Sequence, residues 1–276
     1  MTVLVTGGTG NTGAALAALL TDRGVPVRIA SRRPGPAGGR FAGARFDWAD
    51  PATHGPALDG VDAVYLLPPP ATVEPLEQVG PFLDVARAAG VRRVVLLGAL
   101  AVLPGAPGMA ELVGAVRAMP EWAVLRPSGF MQNFTGQFAA DIARGEIRSA
   151  AGPGRVGWID TADIAAVAAR TLLDPDLPSA EHVLTGPEAL DHDEVARTIA
   201  EVTGRPVRHV PTTTGDVADR YRAAGLPDPY ATALAGMDDT RRAGSEDVVS
   251  PAVRDLAGRP PRSFRDFVRA HRRAWG

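Results

Sequence analysis

Along the first half of the chain, short uncharged apolar runs alternate with longer stretches of helical periodicity. Thr2 to Thr6 is β-branched and apolar with no charge, the pattern of a strand buried on both faces. Ala14 to Leu20 follows as an apolar segment of high helix propensity. Further strands are predicted over Pro26–Ser31, Ala44–Asp47, Asp62–Leu67, Arg92–Leu97 and Trp122–Arg126. Helices fall between them from about Pro75 to Ala89 and from Gly108 to Met119, while Pro34 to Gly43 reads as a glycine- and proline-rich loop. Strands and helices taking turns at this spacing predict an α/β fold with a doubly wound parallel sheet.

The second half is less regular. Helices are predicted over Asp160–Leu173, Asp191–Thr203, Thr214–Ala224, Asp228–Gly236 and Ser263–Arg273, with strands at His182–Thr185 and Val207–Pro211. The expected division is a sheet domain over 1–150 and a smaller C-terminal α/β lobe over 151–276, partly interleaved with it. That lobe is expected to fold over the mouth of the sheet and to form much of a substrate pocket.

The first strand and first helix are joined by glycines three apart, Gly7, Gly10 and Gly13, in company with Thr9, Asn11 and Thr12. Gly7 permits a tight turn, Gly10 lets the backbone approach a pyrophosphate, and Gly13 lets helix and strand pack closely. Unpaired N–H groups at the helix start then face the anion. At the end of the second strand an acid would hold the ribose hydroxyls of NAD; this chain has Ser31, Arg32 and Arg33 instead. Two guanidiniums can clamp a 2′-phosphate, so the expected cofactor is NADP(H). Asp47 stands where it can accept from an adenine amino group, or simply open the following helix. Leu67, Pro68, Gly98 and Pro127 close the fourth, fifth and sixth strands, whose carboxyl ends should flank the cofactor.

Composition narrows the chemistry. A chain of 276 residues can bury a sizeable core, and its formal charge of −2 offers no general attraction to nucleic acid or anionic membrane. Absent cysteines remove disulfides and thiolate catalysis, and every basic residue being arginine removes any lysine-dependent step. His54, His182, His192, His209 and His271 are scattered without metal-ligand spacing. No apolar run reaches the length of a membrane span, and the first strand begins where a leader would stand, so a cytoplasmic protein with a small-molecule partner is expected.

Four segments carry a family resemblance: Val5–Gly13, Arg126-Pro-Ser-Gly-Phe-Met-Gln-Asn133, Ile159–Ala165 and Leu184–Leu190. Over nearly its whole length the chain resembles the NmrA-like atypical extended short-chain dehydrogenases/reductases, in particular the ergot-alkaloid reductase branch. The resemblance implies an NADP(H)-binding Rossmann domain with a C-terminal substrate lobe, and places the segment matching Pro127 to Phe130 near the nicotinamide. It also exposes departures. Standard members of the superfamily use a Ser/Thr after strand five, then a tyrosine and a lysine four residues apart as a proton relay. Here strand five ends Leu97-Gly98-Ala99, and Met109 and Val113 stand where many NmrA-like proteins keep a lysine and a glutamate.

A hydride acceptor that needs little acid help is therefore expected: an iminium, an enone or a quinone-like molecule. The alternatives are a nucleotide-binding regulatory protein without turnover, and a non-redox cyclase or isomerase reusing the cleft. Gln132 and Asn133 are candidates for hydrogen bonds to the nicotinamide carboxamide or a substrate carbonyl, with a helix-start cap as the plainer role. Phe130 and Trp158 are candidate pocket walls. Asp160 and Asp163 resemble a catalytic pair, but their spacing before a helix is better explained by capping. Tyr221 and Tyr230 are the remaining phenols outside the sheet domain, and no catalytic residue is assigned.

Overall fold

A computed structural model describes residues 1–35, 41–103 and 108–275. The chain forms two compact units. One comprises Met1–Gly98, Pro107–Arg126 and Ile164–His182; the other comprises Ala99–Ala106, Pro127–Asp163 and Val183–Gly276. The division thus falls earlier than residue 150, and the helix after Asp163 returns to the sheet unit.

The sheet has seven strands in the order β3-β2-β1-β4-β5-β6-β8: β1 (Val3–Thr6), β2 (Val27–Ser31), β3 (Ala42–Arg45), β4 (Ala63–Leu66), β5 (Arg93–Leu97), β6 (Glu121–Pro127) and β8 (Ala180–Leu184). Pairing from β3 through β6 is parallel, with Val5 opposite both Ile29 and Tyr65. Every residue of β1 and β4 is buried, as uncharged apolar runs demand when helices cover both faces. Alternate positions Leu4, Val64, Leu66, Val94, Leu96 and Val124 line one face. They pack on Leu58 of α2 (His54–Leu58), Phe82 and Leu83 of α3 (Leu76–Ala88), and Leu112 and Val116 of α4 (Gly108–Arg117). Strand order reverses between β1 and β4, the position at which open parallel sheets bind ligands.

The second unit has its own core. Phe134, Trp158, Phe264 and Phe267 meet Val195 and Ile199 of α7 (His192–Thr203), with Phe134 edge-on to Trp158 at 4.8 Å. A two-stranded parallel pair, β7 (Glu146–Ser149) and β9 (Arg208–Pro211), flanks α7. Helix α9 (Asp228–Arg242) packs through Ala235 on Val217 and Ala218 of α8 (Thr214–Ala223). The described residues contain no helix long and apolar enough to cross a membrane.

Three local expectations change. The third strand is Ala42–Arg45, not Ala44–Asp47, because pairing with Arg28 and Ile29 holds even Gly43 in the ladder; residues 36–40 of the expected loop lie outside the described residues. Helix α9 runs past Gly236 to Arg242: Asp238 and Arg241 turn inward and pair at 3.1 Å, so a run that reads as surface is helix interior. Strand β7 was not foreseen, since Glu146-Ile-Arg-Ser149 carries one apolar residue and gains its order from β9.

Candidate functional site

The turn after β1 is built by its glycines. Gly7 has φ +65°, and a side chain at Gly13 would overlap the Gly7 carbonyl oxygen and come within 2.8 Å of its carbon. Helix α1 (Asn11–Asp22) therefore starts directly against the end of β1. Gly10 occupies the N-cap with no side-chain cap, and no acid stands in the first turn. The helix start thus keeps its N–H groups and its positive dipole end for an anion. Thr9, Gly10 and Asn11 are exposed, whereas Thr12 and Gly13 are buried. The opposite wall is fixed by Thr6, whose Oγ1 accepts the Leu67 N–H at 2.7 Å; Leu67 packs over Gly7, and Pro68 follows it.

Arg32 and Arg33 are exposed just beyond β2, and neither forms an ion pair among the described residues. Ser31 shapes this turn, its Oγ accepting the Arg33 N–H at 3.2 Å. Asp47 is half-buried: Oδ1 accepts from Ala49 N–H at 3.1 Å, and its carbonyl meets His54 Nε2 at 3.2 Å. Asp50, not Asp47, caps the following turn through Ala52 N–H. His54 stacks on Phe46 at 5.1 Å, and burial lowers its pKa. Gly98 closes β5 by donating to the Leu125 carbonyl at 2.8 Å. Downstream, Met109 and Val113 pack onto the apolar core.

These features fit a dinucleotide: a cradle that any Cβ would fill, an uncapped helix start, and two guanidiniums at the end of the neighbouring strand. Gly7, Gly10 and Gly13 would hold the pyrophosphate with Thr9 and Asn11 at its rim, and Arg32 with Arg33 a 2′-phosphate.

In the second unit the sequence candidates divide. Pro127, Ser128 and Gly129 are buried, and Phe130 is half-buried and bridged to Ile159. The Ser128 hydroxyl donates to the Gly157 carbonyl and its N–H to Leu184, so it is a strut. Gln132 is engaged at both ends of its amide: Nε2 donates to Asp160 at 2.8 Å and Oε1 accepts from Thr161 N–H at 3.1 Å. It clasps the start of α6 (Thr161–Leu173) through both its amide nitrogen and its amide oxygen. Asn133 is half-buried, with no side-chain partner among the described residues. Trp158 is only 2% exposed, donates to Leu190 O at 3.1 Å, and lies against Gly129. It backs the turn from inside the core and is not an open wall.

Asp160 caps α6 through Ala162 N–H and pairs with Arg262 at 2.7 Å; Asp163 pairs with Arg259 at 2.6 Å and accepts the Arg262 N–H. Both carboxylates are structural. One grouping escaped the sequence: Ser149 Oγ lies 3.0 Å from His209 Nε2, and His209 Nδ1 lies 3.6 Å from Asp193. Ser149 is 2% exposed, which removes it from contact with substrate. Of the phenols, Tyr221 and Tyr230 both have pKa values raised by burial.

The sequence model of the NAD(P)H-binding family matches residues 7–119. Uncharacterized oxidoreductase YesF of Bacillus subtilis is 40% identical over 99% of this chain and 96% of its own. Agroclavine dehydrogenase of Claviceps fusiformis is 38% identical over 100% of this chain and 99% of its own. Among solved structures, the triphenylmethane reductase of Citrobacter sp. superposes with a TM-score of 0.84 at 22% identity, covering 98% of this chain and 99% of that one.

Proposed function

Because the chain belongs to the NAD(P)H-binding, NmrA-like family of atypical short-chain dehydrogenases/reductases, we propose that it is an NADPH-dependent reductase of a small specialised metabolite whose reacting group is an iminium, enone or quinone. The observation that supports this reading is the glycine turn with its uncapped helix start in a chain that contains no lysine. Bound NADPH supplies hydride. The glycine turn and the start of α1 would hold the pyrophosphate, and Arg32 and Arg33 would select the 2′-phosphate. With no lysine in the chain, apolar Met109 and Val113 in α4, and Gly98-Ala99 after β5, the protein contributes orientation and exclusion of water more than acid catalysis. An iminium carbon needs only hydride; a quinone or activated enone takes its proton from water. The name agroclavine dehydrogenase, carried by a relative 38% identical, agrees with redox chemistry on a small specialised metabolite.

Two measurements test this. Calorimetric titration of Arg32→Ala/Arg33→Ala should show NADPH affinity reduced by roughly 2–4 kcal/mol, as expected for two overlapping charge-assisted contacts, with NADH little changed. Equal losses for both nucleotides would remove the 2′-phosphate assignment. Second, NADPH oxidation should be fast with cyclic iminium or quinone acceptors and near background with an unactivated ketone. Rapid ketone reduction would reveal an acid missed above. Tight NADPH binding without turnover on any acceptor would favour a nucleotide-binding regulatory role.

A further inference from the structure

The segment that follows β3 is clamped from beneath by two consecutive side chains. Phe46 donates its N–H to Ser31 O at 2.9 Å, so Asp47 emerges beside the turn after β2. The Asp47 N–H donates to Thr53 Oγ1 at 3.0 Å. Its carbonyl accepts the Asp50 N–H at 3.1 Å and meets His54 Nε2 at 3.2 Å. Both peptide groups that flank the Asp47 Cα are thus held. The side chain is held too, because Oδ1 accepts the Ala49 N–H at 3.1 Å. Oδ2 has no hydrogen-bond partner among the described residues, and Asp47 is half-buried.

The clamp itself is well packed. Thr53 is 8% exposed and gives its hydroxyl proton to Asp50 O at 2.6 Å, which leaves the oxygen to accept from Asp47. His54 is 1% exposed, stacked on Phe46 and edge-on to Phe82 at 5.6 Å. A carbonyl at Nε2 selects the tautomer with its proton on that nitrogen, and Nδ1 then holds a lone pair with no partner. Burying an imidazole with one nitrogen orphaned is costly beside an apolar ring of similar shape. The bond to Asp47 is what histidine adds here over phenylalanine.

Two strand spacings, about 10 Å, separate β3 from β1, whose end carries the glycine cradle. An adenosine bridges such a gap from its phosphate to the edge of its base, and Asp47 stands beyond the carboxyl end of β3, where open parallel sheets bind ligands. A carboxylate oxygen accepts from the 6-amino group of adenine but meets lone pairs on the 6-oxo group of hypoxanthine. A mobile carboxylate would evade that difference by moving to the neighbouring ring N–H that hypoxanthine offers. A clamped one does not. We propose that His54 and Thr53 are positioning residues that give the nucleotide site its base specificity, holding Asp47 so that it selects a 6-amino over a 6-oxo purine; this rests on the cofactor reading above. Both are buried and act through the backbone of Asp47.

The probes are NADPH and its deamino analogue, in which hypoxanthine replaces adenine, and the readout is the ratio of their dissociation constants by calorimetric titration. Wild type should prefer NADPH by at least about tenfold, the difference expected of one hydrogen bond to a charged group. Asp47→Asn, whose amide turns either a donor or an acceptor to the base, should bring the ratio near one. His54→Phe keeps the ring stack on Phe46 and removes the Nε2 bond. It should cut the ratio to about threefold or less, chiefly by weakening NADPH, because the freed carboxylate then serves either base. Thr53→Val should act likewise, and Thr53→Ser should restore the wild-type ratio. A merely structural clamp would weaken both nucleotides in proportion; an unchanged ratio in His54→Phe and Thr53→Val therefore overturns the proposal. Should neither variant fold, amide exchange in wild type decides. An Asp47 N–H better protected by NADPH than by equally saturating deamino-NADPH supports the proposal, and equal protection overturns it. A wild type that binds neither nucleotide overturns the cofactor reading and this proposal together; a wild type that binds both equally overturns this proposal alone.

Discussion

Replacing Gly13 by alanine should abolish useful NADPH binding, weakening it at least 100-fold, or about 3 kcal/mol. The added methyl group meets backbone on every near side: it overlaps the Gly7 carbonyl oxygen and lies 2.8 Å from the Gly7 carbonyl carbon and 2.9 Å from the Gly8 Cα. No rotamer change can relieve a contact between a Cβ and main chain. Either the Gly7–Gly10 turn opens or the start of α1 withdraws from β1, and both displace the N–H groups that would face the pyrophosphate. Gly114→Ala is the control. Gly114 lies inside α4 with nothing within 4 Å of its added Cβ, so alanine there should raise stability by about 0.5–1 kcal/mol and leave binding alone. Isothermal titration of both variants with NADPH checks the pair; normal binding by Gly13→Ala would show that the cradle is not the nucleotide site.

Acid should destabilise the protein earlier than carboxylate titration explains. His192 is 1% exposed, enclosed by Trp158 at 5.5 Å, Phe134 and Phe138, and stacked on His209 at 5.4 Å. Burial above all, then the charges of Arg241 and His209, lower its pKa to about 3 against the opposing pull of Asp191. The folded state therefore keeps His192 neutral, while the unfolded chain protonates it near pH 6.5. Between those values the unfolded state binds more protons, so this contribution is complete above about pH 6.5 and is lost as pH falls toward about 3. Its full size is on the order of 5 kcal/mol, of which about 2 kcal/mol disappears between pH 6.5 and 5. In that interval the lowered carboxylates Glu146, Asp216 and Asp266 stay ionised in both states and contribute little. His54 and His182, also lowered by burial, add in the same direction. Urea unfolding of His192→Phe should accordingly show a shallower pH dependence than wild type, not a flat one. Since His192 Nδ1 has no hydrogen-bond partner, phenylalanine sacrifices no bond from that atom. An unchanged slope would mean that His192 is hydrated or protonated when folded.

Much of the sheet unit was legible because its elements are locally self-consistent. Short uncharged runs such as Val3–Thr6 and Ala63–Leu66, bounded by turn residues, read as buried strands, and Gly7 to Gly13 names its own turn. The capping role of Asp160 was also readable, since an acid before a helix meets N–H groups within its own first turn, whereas the partners of Asp163, Arg259 and the Arg262 N–H, lie nearly 100 residues away. Legibility failed where a residue's partner is distant. Gln132 reads equally as ligand contact or clasp until Asp160 and Thr161 are placed beside it. Trp158 reads as a pocket wall until the core of the second unit closes around it.

The sequence by itself determined the parallel α/β fold, the nucleotide cradle and the lack of a lysine-dependent relay, since each follows from residue types within a few positions of one another. Only the tertiary structure decided which charges lie inside. Asp238, Arg241 and Glu246 look like any solvated run, and their burial depends on Gly129, Ala150 and Trp158, some 80 to 120 residues away. A charge enters a protein interior only where the fold has already assembled its partners, and no local pattern records that assembly.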